Sequence, residues 1–444
     1  MSGDEAARLD GRFAKLWAAS TVSALGSGLA TVAAPLFVAA RTGNPLAVSA
    51  AAAVAWLPWL LFALPGGVLV DRVDRRRLMV AVDWVRVAAM GVLATAILTG
   101  RDSIPLLYVV LFVVNTGEIV MRSASQAMVA DVVPPDRLER ANGWIIGGAT
   151  TAEFMLAGPL AGFLFKLANG LPFLANAVTY AASAILVGWI AGRFRPALRE
   201  GLAPAGDRTA RTSGVRSVWS DLAEGFSWLL RQRLLRTMAV LIGLLNVTLT
   251  GAMAVLVLLA RQRLGLGSVG YGVLFACLAA GGILGSVIGD RLIAWVSATW
   301  TLRVGLIVEA ALHLTLATSH SRYVVGFALF AFGVHGTLWT IVANSLRQRL
   351  TPPAMLGRVG STILFIAAGG NCAGALLAGG VASTFGITAP YWAGFVVAVA
   401  VSVTTWRVFS RSAMAQADAG SPAQASASLA DGAGSPATEP NAGG

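Results

Sequence analysis

The sequence predicts an all-α membrane protein with twelve transmembrane helices in two six-helix pseudo-repeats. Three observations carry this prediction: the apolar composition, the number of long apolar segments, and a duplication of short motifs. Of the 444 residues, 56% are hydrophobic and only 12% are charged, whereas soluble domains carry about 25% charged residues. Apolar runs of about 20 residues are long enough to cross the hydrocarbon core of a bilayer as helices.

Twelve such segments follow one another along the chain, and they are rich in Gly, Ala and Ser, which favour close helix packing in lipid. The expected spans are about 16–39, 46–70, 78–99, 104–126, 142–166, 172–192, 236–260, 269–289, 301–318, 323–346, 359–383 and 388–409. They divide the chain into a tail (1–13), a six-helix half (14–192), a linker (193–235), a second half (236–410) and a second tail (411–444).

Three short motifs occur twice, in the same order and at nearly one offset. "GGVLVDR" at Gly66–Arg72 is echoed by "GSVIGDR" 219 residues later, and "VPPDRLER" at Val133–Arg140 by "TPPAMLGR" 218 residues later. "AGPLAGFL" at Ala157–Leu164 precedes "ALLAGGVA" by 218 residues. Two halves in parallel order are an architecture found in transporters, in which the substrate site lies where the halves meet.

The Lys and Arg residues indicate the orientation of the chain, because they are enriched in cytoplasmic loops. With the amino terminus in the cytoplasm, only six of them lie on the outer side: Arg41, Arg101, Lys166, Arg261, Arg263 and Arg322. We therefore expect a multi-pass cell-membrane protein with both termini in the cytoplasm. The net charge of +12 follows from this topology, and we expect no nucleic-acid partner.

The linker has two parts. Its first part is a flexible segment by composition, and its second contains "VWSDLAEGFSWLLRQRLLR". As a helix, this second part places five apolar side chains on one face: Trp219, Leu222, Phe226, Leu229 and Leu230. Such a helix fits the membrane surface, and it fits packing against the bundle equally well. The tail after Arg411 is rich in Ala, Gly, Ser and Pro, a composition typical of disorder.

The stretch "GGVLVDRVDRRR" resembles the signature between helices 2 and 3 of the major facilitator superfamily, Gly-x-Leu-Ala-Asp-Arg-x-Gly-Arg-Arg. Six positions match it: Gly67, Leu69, Asp71, Arg72, Arg75 and Arg76. Val70 and Asp74 replace the usual alanine and glycine. This stretch is similar to the branch of enterobactin-type siderophore exporters and macrolide efflux pumps, as are "LPWLLFALPGGVLVDR", "VVPPDRLERANGW" and "AGPLAGFLF". The resemblance covers about residues 12–410 and implies the major facilitator fold.

The resemblance also implies a latch between the two halves, formed by a charge network that breaks when they rock. We expect Asp71 to carry it at the end of the second helix, with Asp290 and Arg291 as a weaker counterpart. The candidate gating residues are Gly67, Asp71, Arg72, Arg75, Arg76, Asp290 and Arg291. The alternative is that these arginines only enforce the topology.

"AGPLAG" at Ala157–Gly162 resembles the end of the antiporter signature in helix 5, Gly-x-x-x-Gly-Pro-x-x-Gly-Gly. Gly158, Pro159 and Gly162 match it, whereas Phe154 and Ala161 depart from it. The match favours export. The alternative is that these residues only bend the helix and let it pack closely.

Ionisable side chains inside the spans are functional candidates, because charge in a bilayer is costly. Glu118 and Arg122 are four residues apart and can pair on one helical face. Asn115 lies on an adjacent face, and Glu153 lies in the middle of the fifth span. We expect Glu118 and Glu153 to carry protons or contact a cation, and a permanent Glu118–Arg122 ion pair is the alternative.

Relatives in this branch often carry an acid at the positions of Ser27 and Arg122, so these two positions put the coupling mechanism in doubt. Four further residues are candidates for substrate contacts or proton coupling: His335, Asn246, Trp339 and Asn371. Asp83 and Arg86 are expected to brace the charged loop, and Glu309 with His313 is expected to be a structural pair.

The chain has only two lysines, Lys15 and Lys166, and neither lies in an ATP-binding loop sequence. It has no His-Glu-x-x-His zinc pair and no Gly-x-Ser-x-Gly turn. Cys277 and Cys372 lack metal or redox spacing. We therefore expect that the protein is not an enzyme and uses no cofactor or metal. We expect a monomeric secondary active transporter that exports an amphipathic drug, siderophore or other metabolite. Proton antiport by alternating access is the expected mechanism; an importer or uniporter is the alternative, and a membrane enzyme a distant one.

Overall fold

The computed structural model describes residues 11–70, 73–192, 194, 215–352 and 355–406. Within these ranges the chain is helical and forms no strand. Asp71 and Arg72 lie outside the described residues, as do most of the first part of the linker and the tail after Trp406. Gly67 lies in the last turn of its helix.

Seven helices and two short helical segments precede the linker. They are α1 (Gly11–Arg41), α2 (Pro45–Val70), α3 (Arg75–Leu98), α4 (Ile104–Val132), a 3-10 turn (Pro135–Arg137), α5 (Leu138–Thr150), a π-helical turn (Thr151–Leu156), α6 (Ala157–Leu167) and α7 (Leu171–Gly188). We call them the N-terminal set.

The linker helix α8 (Val215–Arg231) follows. After it come α9 (Arg233–Ala254), α10 (Leu256–Gln262), α11 (Ser268–Val296), α12 (Ala298–Thr318), α13 (Arg322–Leu350), α14 (Leu356–Phe385) and α15 (Ala389–Thr405). We call α9 to α15 the C-terminal set. Ten helices of the described chain are long and apolar enough to cross a membrane, and α15 is a shorter apolar helix.

The fifth expected span is not one regular helix. A π-helical turn, Thr151–Leu156, separates α5 from α6, and it is closed by the bond from the Ala157 amide to the Ala152 carbonyl. Pro159 follows within one turn and has no backbone N–H to donate to the helical ladder. The expected span over 142–166 is thus helical throughout, and the π turn adds one residue to the helical repeat within it.

The charged loop after α2 is anchored within the N-terminal set. Asp74 is the N-cap of α3, and its carboxylate accepts a hydrogen bond at 3.0 Å from the Arg77 amide. Arg75 pairs with Asp131 near the end of α4, and Arg76 donates to the Gly188 carbonyl at the end of α7. The capping role explains why an aspartate serves at position 74.

The N- and C-terminal sets pack against each other closely where α6 crosses α11. A Cβ at Gly158 would lie 2.6 Å from the Gly272 carbonyl oxygen, so no side chain fits there. One turn further, the Ser268 hydroxyl donates to the Gly162 carbonyl at 2.8 Å. The glycines of "AGPLAG" therefore lie at the interface between the two sets of helices.

A second crossing joins α2 to α14. A Cβ at Gly379 would lie 2.9 Å from the Leu46 Cα, and Cys372 Sγ is 3.7 Å from the Ala53 carbonyl oxygen. Arg261, at the end of α10, also donates to the Ala39 carbonyl near the end of α1. Because Leu46, Ala39 and Arg261 all lie at the end of the bundle away from the amino terminus, the two sets are closed against each other at that end.

Helix α8 packs on the start of α14. Arg358 donates to the Glu224 carboxylate at 2.8 Å, and a Cβ at Gly225 would lie 2.7 Å from the Arg358 carbonyl oxygen. Leu229 is buried against this helix, whereas Phe226 is exposed. The helix therefore uses one side for packing on the bundle and leaves part of its apolar face uncovered.

Candidate functional site

Glu118 on α4 lies at the centre of a network of charged side chains. Its carboxylate accepts a hydrogen bond from Arg86 at 2.6 Å and, through its other oxygen, one from Arg122 at 3.1 Å. The Ser27 hydroxyl on α1 donates to it at 2.9 Å. The predicted pairing of Glu118 with Arg122 is present, and it is one part of a larger assembly.

Arg86 belongs to this network and does not brace the charged loop. Its side chain is fully buried, and it donates to Ser23 and to Asp83, each at 3.1 Å. Its guanidinium carbon lies 3.7 Å from the centre of the Tyr180 ring. The expectation for Asp83 and Arg86 is therefore wrong, because α3 turns both side chains into the bundle, where Glu118 supplies the countercharge.

Arg122 extends the network toward α5. It donates to the Glu153 carboxylate at 3.2 Å, and its guanidinium lies 5.6 Å from the centre of the Trp59 ring on α2. The Arg122 side chain is 51% exposed, compared with 13% for Glu118 and 17% for Glu153. The Arg122 side chain therefore borders an open space, whereas the side chains of its two acidic partners are mostly buried.

Glu153 lies in the π-helical turn, and the turn is tightly packed on α1. A Cβ at Gly28 would contact the Glu153 carbonyl oxygen and would lie 2.6 Å from the Ala157 Cβ. The next turn of the chain carries Gly158, which touches α11 of the C-terminal set. Glu153 is therefore next to the segment that joins the two sets, and π-helical turns are frequent at functional sites.

The predicted amide candidates make local or structural bonds. Asn115 donates to the Leu111 carbonyl at 2.8 Å and Asn246 to the Ile242 carbonyl at 2.7 Å, each within its own helix. Asn371 is buried and accepts a hydrogen bond at 2.6 Å from the Thr250 hydroxyl. Among the described residues, none of these three amides is hydrogen-bonded to the charge network, and Asn371 ties α14 to α9.

His335 and Trp339 lie on α13 in an aromatic row with Phe332. The His335 ring is 6.1 Å from the centres of both neighbouring rings, and it fills the space over Gly305 on α12. His335 is therefore packed between helices of the C-terminal set. The structure does not bring it together with Glu118 or Glu153.

Two further groups of predicted residues lie apart from the network. Arg75 and Arg76 bind partners within the N-terminal set, as described above, and Asp290 and Arg291 are exposed near the end of α11. His313 is buried, and its Nδ1 lies 2.9 Å from the Glu309 carbonyl oxygen and 3.7 Å from the Glu309 carboxylate. The His313 ring packs against Gly394 of α15.

Sequence reasoning missed Arg86, Ser23, Tyr180 and Trp59 as parts of the site. The cost of a charge inside the bilayer was a signal for Arg86, since it lies eleven residues after the start of α3. The other three are uncharged residues on apolar helices, and their spacing indicates nothing about partners on other helices.

The chain belongs to the major facilitator superfamily. The family model described as transmembrane secretion effector matches residues 7–431, nearly the whole chain. The protein is therefore a multi-pass membrane transporter of the efflux branch, and family and fold point to a transporter rather than an enzyme.

Two relatives illustrate the range of similarity. The uncharacterised MFS-type transporter YkuC of Bacillus subtilis is 24% identical over 357 residues, which are 78% of this chain and 80% of the relative. Macrolide efflux protein A of Streptococcus pyogenes is 29% identical over 133 residues, which are 30% of this chain and 33% of the relative.

Solved structures share the fold at low sequence identity. The nucleoside transporter NupG superposes with a TM-score of 0.70 and 11% identity, covering 90% of this chain and 99% of NupG. A bacterial homologue of the iron transporter ferroportin, in the inward-facing state, gives a TM-score of 0.69 and 16% identity, with 90% and 99% coverage.

Proposed function

We propose that the protein exports an amphipathic small molecule by proton antiport, with Glu153 as the residue that exchanges the proton. The observation that carries the proposal is the bridge from Glu118 through Arg122 to Glu153 at an open space in the bundle. Drugs, siderophores and other secondary metabolites are the substrate classes we expect, and multidrug resistance is the expected cellular outcome.

The balance of charges supports a role for Glu153. The network holds three carboxylates and two guanidinium groups, so one carboxylate lacks a full countercharge. Glu118 contacts both arginines and Ser27, whereas Glu153 contacts only Arg122 among the described residues. Adding one proton to Glu153 therefore balances the charge of the network and weakens its bond to Arg122, which stays paired with Glu118. Asp83 also accepts a single bond, from Arg86, but its side chain is fully buried.

The position of Glu153 supports coupling to movement of the helices. A proton at Glu153 weakens its bond to Arg122, and the π-helical turn that holds Glu153 leads directly into the crossing of α6 with α11. With the amino terminus in the cytoplasm, the two sets are closed at the outer end, which corresponds to an inward-open state. Protonation from outside and release inside would drive alternating access.

The surroundings of Arg122 support an amphipathic substrate. The Trp59 ring lies beside its guanidinium, and Trp56 is 6.4 Å from Trp59. Aromatic faces beside one exposed cation suit a molecule with both an apolar body and a polar group. The alternative of an importer or uniporter of the same fold has no separate observation in its favour.

For Asp71 we propose the latch role that the resemblance implies, with Gly67 and Arg72 beside it. Arg75 and Arg76 are held by Asp131 and by the Gly188 carbonyl, which supports a bracing role for them within the N-terminal set. Asp290 and Arg291 remain candidates for the counterpart in the second half.

Inverted membrane vesicles with an acidic interior test the proposal. Erythromycin, ethidium and a catecholate siderophore serve as probes, and we expect at least one to accumulate and to discharge the proton gradient. Glu153→Gln should abolish both effects at an unchanged protein level. Glu139→Gln, at an exposed glutamate of α5 in the same span, is the matched control and should behave as the wild type.

The other outcomes distinguish the alternatives. If a probe equilibrated across the membrane independently of the proton gradient, the protein would be a uniporter. If a probe accumulated only in right-side-out vesicles, the protein would be an importer. Chemical conversion of a probe would indicate an enzyme. Gradient-driven export that survives Glu153→Gln would contradict the assignment of Glu153.

A further inference from the structure

A groove of about 610 Å³ lies between α1 and α5, apart from the charge network. Its lining includes Trp17 and Thr21 from α1, and Arg140, Trp144, Gly147 and Leu156 from α5 and the π-helical turn. No residue of the C-terminal set lines it among the described residues. The groove therefore belongs to the surface of the N-terminal set.

The groove opens on the side of α5 opposite to Glu153. Trp144 and Thr151 are seven residues apart, about two helical turns at 3.6 residues per turn, so they share the face that lines the groove, whereas Glu153 lies two residues further on, on the other side of the helix. Glu153 points to Arg122 and the open space beside it. Trp144, on the other face, is 52% exposed, so we infer that the groove faces the lipid bilayer.

Two glycines form the floor of the groove, and a pair of tryptophans in mutual contact forms its wall. Nothing lies within 4 Å of a Cβ built at Gly143 or Gly147, so both glycines border free space. The Trp17 Nε1 donates to the Trp144 carbonyl at 3.0 Å, and the two rings meet edge to face with centres 6.1 Å apart. This arrangement provides an apolar channel that an acyl chain can occupy without displacing side chains.

A cation lies at the end of the groove nearest the start of α5. Arg140 is exposed, and none of the hydrogen bonds or ion pairs of the described residues involves it. Tryptophan is enriched at the level of lipid headgroups, and anionic headgroups attract Arg at the cytoplasmic surface. The buried Thr21 Oγ1 on the groove wall also has no hydrogen-bond partner in the described chain.

We propose that this groove binds an anionic phospholipid of the cytoplasmic leaflet. Arg140 contacts the phosphate, the pair of Trp17 and Trp144 lies at the headgroup level, and one acyl chain lies over Gly147 toward Leu156. The charge of Arg140 is complementary to the phosphate of such a lipid, and the apolar floor is complementary to its acyl chain. The site is independent of the proposed proton exchange.

Native mass spectrometry of the detergent-purified protein tests the proposal with phosphatidylglycerol and phosphatidylcholine as probes. We expect the wild type to retain phosphatidylglycerol preferentially. Arg140→Gln should weaken retention of that lipid about five-fold, as expected for one charge contact of about 1 kcal/mol. Arg77→Gln, at an exposed arginine on α3, is the matched control and should change nothing.

A second variant fills the groove. Gly147→Phe has room for its Cβ and should abolish the preferential retention, and Gly143→Phe serves if that variant does not fold. Gly91→Phe, at a glycine of α3 with nothing within 4 Å of its Cβ position, is the control. Equal lipid retention by Arg140→Gln and Arg77→Gln would overturn the proposal, as would lipid binding that survives the groove-filling variants.

The same variants test whether the groove binds transported molecules instead of a lipid. If Gly147→Phe abolished binding of erythromycin or ethidium but left lipid retention intact, the groove would be part of the substrate path. That result would overturn the lipid assignment.

Discussion

Replacing Gly158 with alanine perturbs the contact that closes one end of the bundle. The added Cβ would lie 2.6 Å from the Gly272 carbonyl oxygen and 3.1 Å from the Phe275 Cβ, whereas ordinary contacts begin at 3.4 Å. The first of these neighbours is backbone and cannot turn away. The helices must therefore separate by several tenths of an ångström, and overpacking of this kind costs about 1–3 kcal/mol.

This cost falls only on the state in which α6 touches α11. If the protein alternates between two states, a penalty of about 1–3 kcal/mol shifts their ratio about 5- to 150-fold toward the state in which this end is open. Gly91→Ala should not shift the ratio, because nothing lies within 4 Å of its Cβ position.

Distances between spin labels measure the shift. One label replaces Arg101 in the loop between α3 and α4, and the other replaces Arg322 at the start of α13, both at the closed end of the bundle. Cys277 and Cys372 are first changed to alanine, so that only the cysteines introduced in place of Arg101 and Arg322 react with the spin label. We expect one short distance in the parent protein and an added longer distance in Gly158→Ala. Identical distance distributions in the two proteins would refute the reasoning.

Three further substitutions have defined outcomes. Arg86→Met should lower the melting temperature strongly, because it leaves the buried Asp83 without its ion-pair partner, which costs about 3–5 kcal/mol; a melting temperature within a few degrees of wild type would contradict this. Asp74→Ala should cost about 1 kcal/mol through loss of the N-cap, measured by thermal unfolding, with vesicle transport retained. Asp71→Asn should reduce transport far more than the amount of protein in the membrane, and unchanged transport would rule out the latch.

Much of the fold follows from local sequence properties. Apolar length predicts the spans, since each must cover the hydrocarbon core, and the ten helices of sufficient length and apolarity lie where they are expected. The i, i+4 spacing predicts the bond between Glu118 and Arg122, because both lie on one regular helix. The glycines of "AGPLAG" predict close helix packing, and the structure identifies α11 as the partner.

The remaining features depend on contacts between helices that are distant in the chain. Arg86 joins Glu118 only because α3 packs on α4, and no spacing within one helix contains that information. The π-helical turn at Thr151–Leu156 changes the face on which Glu153 lies, and it arises where Gly28 lets α1 approach the backbone. Ser27 fills a position where relatives often have an acid, and it binds Glu118 instead.

The serine at position 27 bears on the proposed proton coupling. An acid at position 27 would add a fourth carboxylate beside Arg86, whereas a serine leaves two guanidinium groups facing three carboxylates. Arg122 stands where relatives often have another acid, and it supplies the second of those cations. The two departures thus change the charge of the network in the same direction, and the surplus falls to a single negative charge. One carboxylate in excess is what the exchange of one proton requires. Among the described residues, Asp83 and Glu153 each accept a single hydrogen bond, and of these two Glu153 is the one whose side chain is partly exposed.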